Sequence, residues 1–253
     1  MQKLSIAVIT VTLNAERHIR FNIKSVASQN YQLDHYIYDG GSTDDTLVIA
    51  SSLRPTVGRI FIREIKDTGI YNAINIAVAD IRSEYDVIAL LHADDYYVTP
   101  SSVSKAMACF TDENIDAVCS NVGYVKNAGT PLLRLTRHHD SDHTSTGFFR
   151  TGGQFAHPGI FVRSRVYEHL CYDERLDISA DYEFQLSLVA GGGRIVALSD
   201  HLVNQRTGGY SQAGLWAFIR GKMQIFAAAR RHIGFWACLA LPLNIYRKLK
   251  ARL

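Results

Sequence analysis

The first 110 residues alternate between short runs of β-type residues and longer segments whose apolar residues recur at helical spacing. The four β-type runs are KLSIAVITVTLN, HYIYDGG, RIFIREI and YDVIALLHADD. The segments that follow them are ERHIRFNIKSVASQN, STDDTLVIASSL, GIYNAINIAVADIRS and TPSSVSKAMACF. Successive parallel strands need a crossover connection, usually a helix. The alternation therefore predicts an α/β fold with a mostly parallel central sheet and helices on both faces.

Local signals predict where some of these elements lie. The fourth run is nearly continuous in apolar residues, as expected of a central parallel strand that is buried on both faces. Thr99 is placed to cap the fourth helix, with Pro100 at its first position. The second half of the chain is less regular and has no internal repeat or low-complexity linker.

Polar residues follow each of the four predicted strands. They are Thr12, Asn14 and Glu16 after the first strand, Asp39 to Ser42 after the second, Asp67 to Gly69 after the third, and His92, Asp94 and Asp95 after the fourth. Open α/β sheets bind ligands beyond the carboxyl ends of their strands, so at least five carboxylates are expected at one rim. A divalent cation is the simplest compensation for their repulsion. Carboxylate oxygens favour Mg²⁺ or Mn²⁺, which a site with few protein ligands shares with substrate phosphates.

The formal net charge of +3 conceals an asymmetry along the chain. Residues 1–200 carry −6, whereas the remainder has nine basic residues and no acidic residue. This tail contains IGFWACLALPLNI, an apolar segment that is flanked by Arg230-Arg231 and Arg247-Lys248 and interrupted by Pro242. The segment is too short to span a bilayer. It fits an amphipathic helix on an anionic membrane surface, and the alternative is a helix packed on the domain's own core.

Composition and motifs argue against several classes of protein. Hydrophobic residues make up 47% and charged residues 20%, which is typical of globular domains. The four cysteines are scattered without a CxxC pair, and the N-terminal run lacks a signal-peptide cleavage site, so we expect a cytoplasmic protein. The aromatic residues of the tail lie among aliphatic residues rather than among the charges, which argues against a nucleic-acid partner.

Two other enzyme classes could use a parallel sheet to bind a nucleotide. A dinucleotide dehydrogenase would show G-x-G-x-x-G after a strand, and this motif is absent from the sequence. A sugar-nucleotide nucleotidyltransferase would show a glycine-rich, basic loop after the first strand, where the chain instead reads TVTLNAERH. Neither class is favoured.

Four blocks, TVTLNAE, YDGGSTDDT, KDTGIYNAINIAVA and LLHADDYY, together resemble the family 2 glycosyltransferases of the GT-A fold. The similarity is greatest to short bacterial members that build surface polysaccharides. Later segments, AHPGIFVRS, YDERLDISADYEFQLSLVAGGG and RTGGYS, extend the resemblance to about residue 211. We therefore expect a GT-A domain over residues 1–212, with a nucleotide-binding half (1–110) and an acceptor-binding half (111–212). Residues 213–253 would form a helical extension.

The resemblance implies a nucleotide-sugar donor, with UDP as the expected nucleotide. The residues assigned to the nucleotide are Thr10, Thr12, Asn14, Glu16, Asp39, Asp67, Gly69, Asn72 and Asn75. The residues assigned to the donor sugar and diphosphate are His92, Asp95, His157, Arg206, Gly209 and Ser211. Arg206 and the glycines after it are expected to close over the diphosphate.

Asp94 matches the second acid of the family's DxD motif and is assigned to the Mn²⁺ or Mg²⁺ that bridges the diphosphate. His92 replaces the first acid of that motif. Asp181 matches the general base, in a helix that Ser179 would cap and that runs through Leu188. Ala180 replaces the glutamate that usually precedes this base.

These matches predict an inverting, metal-dependent hexosyl transfer to a hydroxyl of a polyprenyl-diphosphate-linked saccharide. The expected location is the inner face of the bacterial inner membrane. The replacements at His92 and Ala180 also leave open a catalytically impaired, nucleotide-sugar-binding partner subunit.

Overall fold

The computed structural model describes residues 3–53, 58–66, 69–136, 138, 140–208 and 215–250. The strands are β1 (Ile6–Thr12), β2 (Asp34–Asp39), β3 (Arg59–Glu64), β4 (Val87–Leu90), β5 (Tyr96–Tyr97), β6 (Ala117–Val125), β7 (Leu132–Leu135), β8 (Ser141–His143), β9 (Ile160–Arg163) and β10 (Ile195–Arg206). The α-helices are α1 (Ile19–Ala27), α2 (Thr46–Ser52), α3 (Ile70–Ile81), α4 (Ser102–Cys109), α5 (Gly147–Arg150), α6 (Ala180–Ala190), α7 (Leu215–Ile233) and α8 (Ala237–Lys250).

The described strands form one sheet in the order β3-β2-β1-β4-β9-β6-β10-β5, with β7 beside β6 and β8 beside β10. β1 pairs in parallel with β2 and β4, β2 with β3, and β6 with β10. β9 runs antiparallel between β4 and β6, and β5 runs antiparallel to β10. The predicted mostly parallel sheet is confirmed. The antiparallel insertion of β9 lies in the half that the sequence pattern left unassigned.

The sheet is buried on both faces because its central strands are apolar at successive positions. In β1, Ala7 and Ile9 belong to one core cluster, whereas Ile6 and Val8 belong to another. Helices α3, α6 and α7 pack into the first cluster. On the opposite face, α4 packs into the second cluster, and α1 and α2 pack around Ile37 of β2. Helices therefore cover both faces, as predicted.

The start of α4 differs from the prediction. The helix begins at Ser102, so Thr99 is not its cap and Pro100 is not its first residue. The backbone N–H of Thr99 instead donates to the Ser102 hydroxyl at 3.1 Å. This contact forms a turn before the helix. The capping preference of threonine, taken alone, does not predict this turn.

The basic tail packs on the domain through one face of α7 and α8. Ile225, Ala228 and Ile233 are buried in the same core cluster as α3, together with Ala237 of α8. α8 continues through Pro242 to Lys250, so the expected interruption at this proline is wrong. Among the described residues, no helix has the length and apolar character needed to cross a membrane.

The free energy of unfolding should fall as the pH is lowered below about 6.5. His35 of β2 is buried, and burial lowers the pKa of its imidazole from 6.5 to about 3. The unfolded chain takes up a proton near pH 6.5, whereas the folded chain resists it until about pH 3. Above pH 6.5 this difference has no effect on stability. Between pH 6.5 and pH 3, His35 lowers the free energy of unfolding by no more than about 1.4 kcal/mol for each pH unit. Urea unfolding of the wild type and His35→Gln between about pH 7 and about pH 4 measures this slope. Equal slopes for the two proteins would contradict the assignment.

Candidate active site

The parallel strands of the first half end at one edge of the sheet. Thr12 of β1 is paired in register with Asp39 of β2, which is paired in turn with Glu64 of β3. β4 lies on the other side of β1 in the same direction. The loops after these strands therefore share one rim, as the sequence predicted.

The loops after β1 and β2 are bound to each other. Asn14, at a positive φ of 50°, accepts a hydrogen bond from the Thr43 N–H at 2.9 Å. The Glu16 carboxylate accepts one from the Asp45 N–H at 3.2 Å. Asn14 and Glu16, both predicted to bind nucleotide, thus fix the shape of the rim by joining two loops.

The two threonines of β1 have different surroundings. The buried Thr10 hydroxyl donates to the Leu91 carbonyl at 2.8 Å and lies 2.9 Å from His35 Nε2. Thr12 is also buried, but its hydroxyl has no hydrogen-bond partner within the described part of the chain. Thr10 therefore ties β1 to β4, and Thr12 is the threonine with a free hydroxyl for a ligand.

Asp39 is fully buried at the end of β2. Its carboxylate accepts the backbone N–H groups of Gly41 and Ser42 at 2.9 and 2.7 Å, and the Ser42 hydroxyl also donates to it. Gly41 has a φ of 96°, which suits glycine. In this conformation Asp39 holds the loop after β2.

Asn72 and Asn75 of α3 face the second half of the chain. Asn72 Nδ2 donates to Glu174 at 2.7 Å. Asn75 exchanges two hydrogen bonds of 2.9 Å with the Tyr172 backbone and also donates to Glu174. These amides join α3 to the segment before α6. Gly69, with a φ of 89°, precedes α3, and a Cβ there would meet no atom of the described residues within 4 Å.

The end of β4 brings together Asp94 and Arg206, which are 112 residues apart. Arg206 Nη2 lies 3.1 Å and Nε 3.2 Å from one carboxylate oxygen of Asp94. The pairing of β5 with the last residues of β10 carries Arg206 to this place. The Arg206 guanidinium is therefore the positive charge beside Asp94, the predicted metal ligand.

Asp95 is buried next to this ion pair. One of its carboxylate oxygens accepts the Arg206 N–H at 3.2 Å, and the other has no partner among the described residues. Burial and the neighbouring Asp94 charge raise the pKa of Asp95 well above its usual range. Asn22 of α1, which the sequence analysis missed, donates to the carbonyls of His92 and Asp95 at 2.8 and 3.2 Å. The sequence feature that could have identified Asn22 is its place as a polar residue among the buried apolar residues of an amphipathic helix.

His92 stacks on His157, with ring centroids 5.0 Å apart. Burial lowers the pKa of both imidazoles. His157 Nε2 is buried and has no hydrogen-bond partner within the described residues. His92, which replaces the first DxD acid, therefore packs against His157, and burial favours the neutral form of both imidazoles.

Asp181 lies in the first turn of α6, as predicted. Ser179 occupies the N-cap position, but its hydroxyl donates to the Gly221 carbonyl of α7 rather than capping the helix. Burial raises the pKa of Tyr71, Tyr124 and Tyr172, and the Asp181 charge raises all three further. The Asp95 charge also raises the pKa of Tyr124. The sequence analysis did not identify these tyrosines.

Among the described residues, no group of three or more His, Cys, Asp and Glu side chains could by itself hold a metal. Glu16 and Asp39 are bound by backbone N–H groups instead. A cation at this rim fits Asp94 and the free oxygen of Asp95, provided that a diphosphate supplies further oxygens. Asp67, Gly209 and Ser211 lie outside the described residues.

Residues 7–169 match the family model described as Glycosyl transferase family 2. The chain belongs to this family. This glycosyltransferase is 27% identical over 186 residues to an uncharacterized glycosyltransferase of Mycobacterium tuberculosis, covering 72% of this chain and 68% of the relative.

Solved structures share the fold of this glycosyltransferase. S. aureus TarS 1-349 in complex with UDP-GlcNAc has a TM-score of 0.73 at 18% identity, over 98% of this chain and 73% of that chain. The mannosyltransferase PcManGT from Pyrobaculum calidifontis, in complex with GDP-Man and Mn²⁺, has a TM-score of 0.69 at 17% identity, over 99% and 75%. These likenesses confirm the predicted GT-A fold.

Proposed function

We propose that this glycosyltransferase moves a hexosyl group, with inversion and with a divalent metal, from a UDP-sugar to a hydroxyl of a lipid-linked saccharide. The observation that carries the proposal is the grouping of Asp94, Asp95 and Arg206 at the end of β4, while Tyr71 in the first turn of α3 binds the turn from which α6 and Asp181 begin. The proposed donor-binding charges and the candidate base thus belong to elements that end, begin or attach at the same rim. The UDP-GlcNAc and GDP-Man complexes of the structural relatives support a nucleotide-sugar donor.

The donor side is built for a charged diphosphate. The Thr12 hydroxyl, which has no hydrogen-bond partner among the described residues, lies at the end of β1 and would contact the nucleoside together with the backbone at Gly69. Asp94 and Asp95 would hold Mn²⁺ or Mg²⁺, which, when bound, neutralises the charge that develops on the leaving diphosphate. Arg206 turns from Asp94 to the diphosphate oxygens, where its guanidinium donates charge-assisted hydrogen bonds.

The acceptor side depends on Asp181. Its carboxylate takes the proton of the acceptor hydroxyl while the acceptor oxygen bonds to the anomeric carbon. The anomeric carbon–oxygen bond to the diphosphate breaks in the same displacement, and its electron pair leaves with the nucleoside diphosphate. Attack opposite the leaving group inverts the configuration.

A donor panel tests this function on the wild-type protein. Each nucleotide sugar is assayed for thermal stabilisation with Mn²⁺ and with EDTA, because a ligand that binds the folded state raises its stability. The best donor is then incubated with polyprenyl-diphosphate-linked saccharides, and the anomeric configuration of the product is read by NMR. A product with retained configuration would refute the mechanism. Metal-dependent donor binding without any turnover would instead identify a donor-binding partner subunit.

The exposed face of the tail supports a membrane-attached acceptor. Trp216 of α7 is 83% exposed, and Phe235, between α7 and α8, is 80% exposed. Leu239 and Leu243 of α8 are also exposed. Other residues of α7 and α8 are buried in the core, so these exposed side chains are available to lipid, and the net positive charge of the tail would attract anionic headgroups. We place the protein on the inner face of the bacterial inner membrane.

Replacing Trp216 and Phe235 together by serine should weaken partition onto anionic vesicles by at least about tenfold. Each large apolar side chain contributes about 1.5–3 kcal/mol when it is fully buried, and about 1.4 kcal/mol is a factor of ten. Vesicle co-sedimentation of the two proteins measures the effect. Neutral vesicles and the control Val48→Ser, an exposed apolar residue of α2, complete the comparison. Deleting the tail is a poor test, because α7 contributes to the core. Unchanged partition of the double variant would exclude this surface.

A further inference from the structure

Gln224 of α7 binds the turn from which α6 begins. We infer that Gln224 is a positioning residue for Asp181, an inference that rests on the proposed role of Asp181 as the base. The tail would then contribute to the reaction without touching the substrate.

The side-chain amide of Gln224 makes three hydrogen bonds to this turn. Its Oε1 accepts the backbone N–H groups of Ile178 and Ser179 at 3.1 and 3.2 Å. Its Nε2 donates to a carboxylate oxygen of Asp177. The amide can have only this orientation, because a flipped amide would place its NH₂ group against two N–H donors. Arg220, one helical turn earlier, pairs with the other Asp177 oxygen at 3.1 Å.

Two further contacts hold the same turn. The Ser179 hydroxyl donates to the Gly221 carbonyl at 3.1 Å. A Cβ at Gly221 would lie 3.0 Å from Ile178 Cγ2, so α7 comes this close because Gly221 has no side chain. On the opposite side, the hydroxyl of Tyr71 from α3 donates to the Ile178 carbonyl at 3.1 Å.

These contacts hold the residues that lead into α6. The side chain of Ser179, at the N-cap position, makes no capping bond to the helix. The start of α6 is therefore fixed by α7 and α3 rather than by its own sequence. Asp181 follows Ser179 by two positions, so a shift of this turn displaces its carboxylate relative to the rim. A misplacement of about 1 Å can cost about a hundredfold in rate.

A paired exchange of hydrogen-bonding groups tests the inference. Gln224→Glu keeps an acceptor for the two N–H groups but sets a carboxylate against Asp177, and we expect kcat to fall about ten- to a hundredfold, with the donor KM nearly unchanged. In the double variant Gln224→Glu/Asp177→Asn, the asparagine amide donates to the new carboxylate, and kcat should recover to within about threefold of the wild type. Asp177→Asn alone should have a small effect, because its carbonyl oxygen still accepts from Gln224 and the exposed Arg220, which loses its partner, can turn to solvent. Ala227→Ser, at an exposed position of α7, is the matched control.

Each outcome separates this inference from the proposed function. Recovery in the double variant at an unchanged donor KM supports positioning. Wild-type kcat in Gln224→Glu, or an equally low kcat in the double variant, would overturn the inference while leaving the transferase activity intact. Melting temperatures of all variants distinguish a misplaced base from an unfolded protein. A wild type that transfers no sugar would refute the proposed function itself.

Discussion

Asp181→Asn should lower kcat for sugar transfer by about 10²- to 10⁴-fold, the contribution of a positioned general base. The amide has nearly the same shape but cannot take the proton from the acceptor hydroxyl. Donor binding should be unchanged, because the residues proposed to hold the diphosphate, Asp94 and Arg206, are themselves unaltered in this variant. Transfer assays together with donor titrations measure the two effects separately.

Asp200→Asn is the control for this substitution. Asp200 pairs with Lys105 at the protein surface, and both side chains are largely exposed. We expect wild-type activity in this variant. Full activity in Asp181→Asn would remove the base assignment, and equal losses in both variants would indicate a general effect on folding.

Asp94→Asn should abolish transfer and reduce metal-dependent donor binding to the level seen with EDTA. The change removes the negative charge that faces Arg206 and that is proposed to bind the cation. A ligand at about 100 times its Kd stabilises the folded state by about 2.7 kcal/mol, and the variant should lose most of this increment. Thermal unfolding with UDP and Mn²⁺, with and without EDTA, gives the measurement.

The same unfolding experiment on Asp200→Asn should reproduce the wild type. If Asp94→Asn keeps the full Mn²⁺-dependent increment, Asp94 is not a metal ligand. If Asp94→Asn also lowers the stabilisation that UDP gives in EDTA, without any metal, then Asp94 acts on the nucleotide through Arg206.

The sequence was most informative where structure is local. Strand and helix periods differ, so the order of β1 to α4 and the edge at which the polar loops meet could be predicted. Asp94 and Asp181 were found at a strand end and in a first helical turn, positions that motif spacing determines. The start of α4 was missed because the bond between Thr99 and Ser102 competes with helix capping.

Contacts between distant segments could not be predicted in the same way. Asn75 was assigned to the nucleotide, but it binds the Tyr172 backbone, 97 residues away. Asp39 was also assigned to the nucleotide, and its carboxylate accepts two backbone N–H groups of its own loop. The tyrosines around Asp181 come from α3, β6 and the segment before α6, and no local pattern marks them as neighbours.

The pairing of β5 with the last residues of β10 has a consequence for biosynthesis. Because β10, which pairs with β6 and β5, brings Arg206 to Asp94, a growing chain that has emerged as far as α4 has its early strands but lacks the guanidinium. Contacts of such long sequence separation form late, since loop closure must precede them. The pairing of Arg206 with Asp94 should therefore form in the nascent protein only after β10 has been translated.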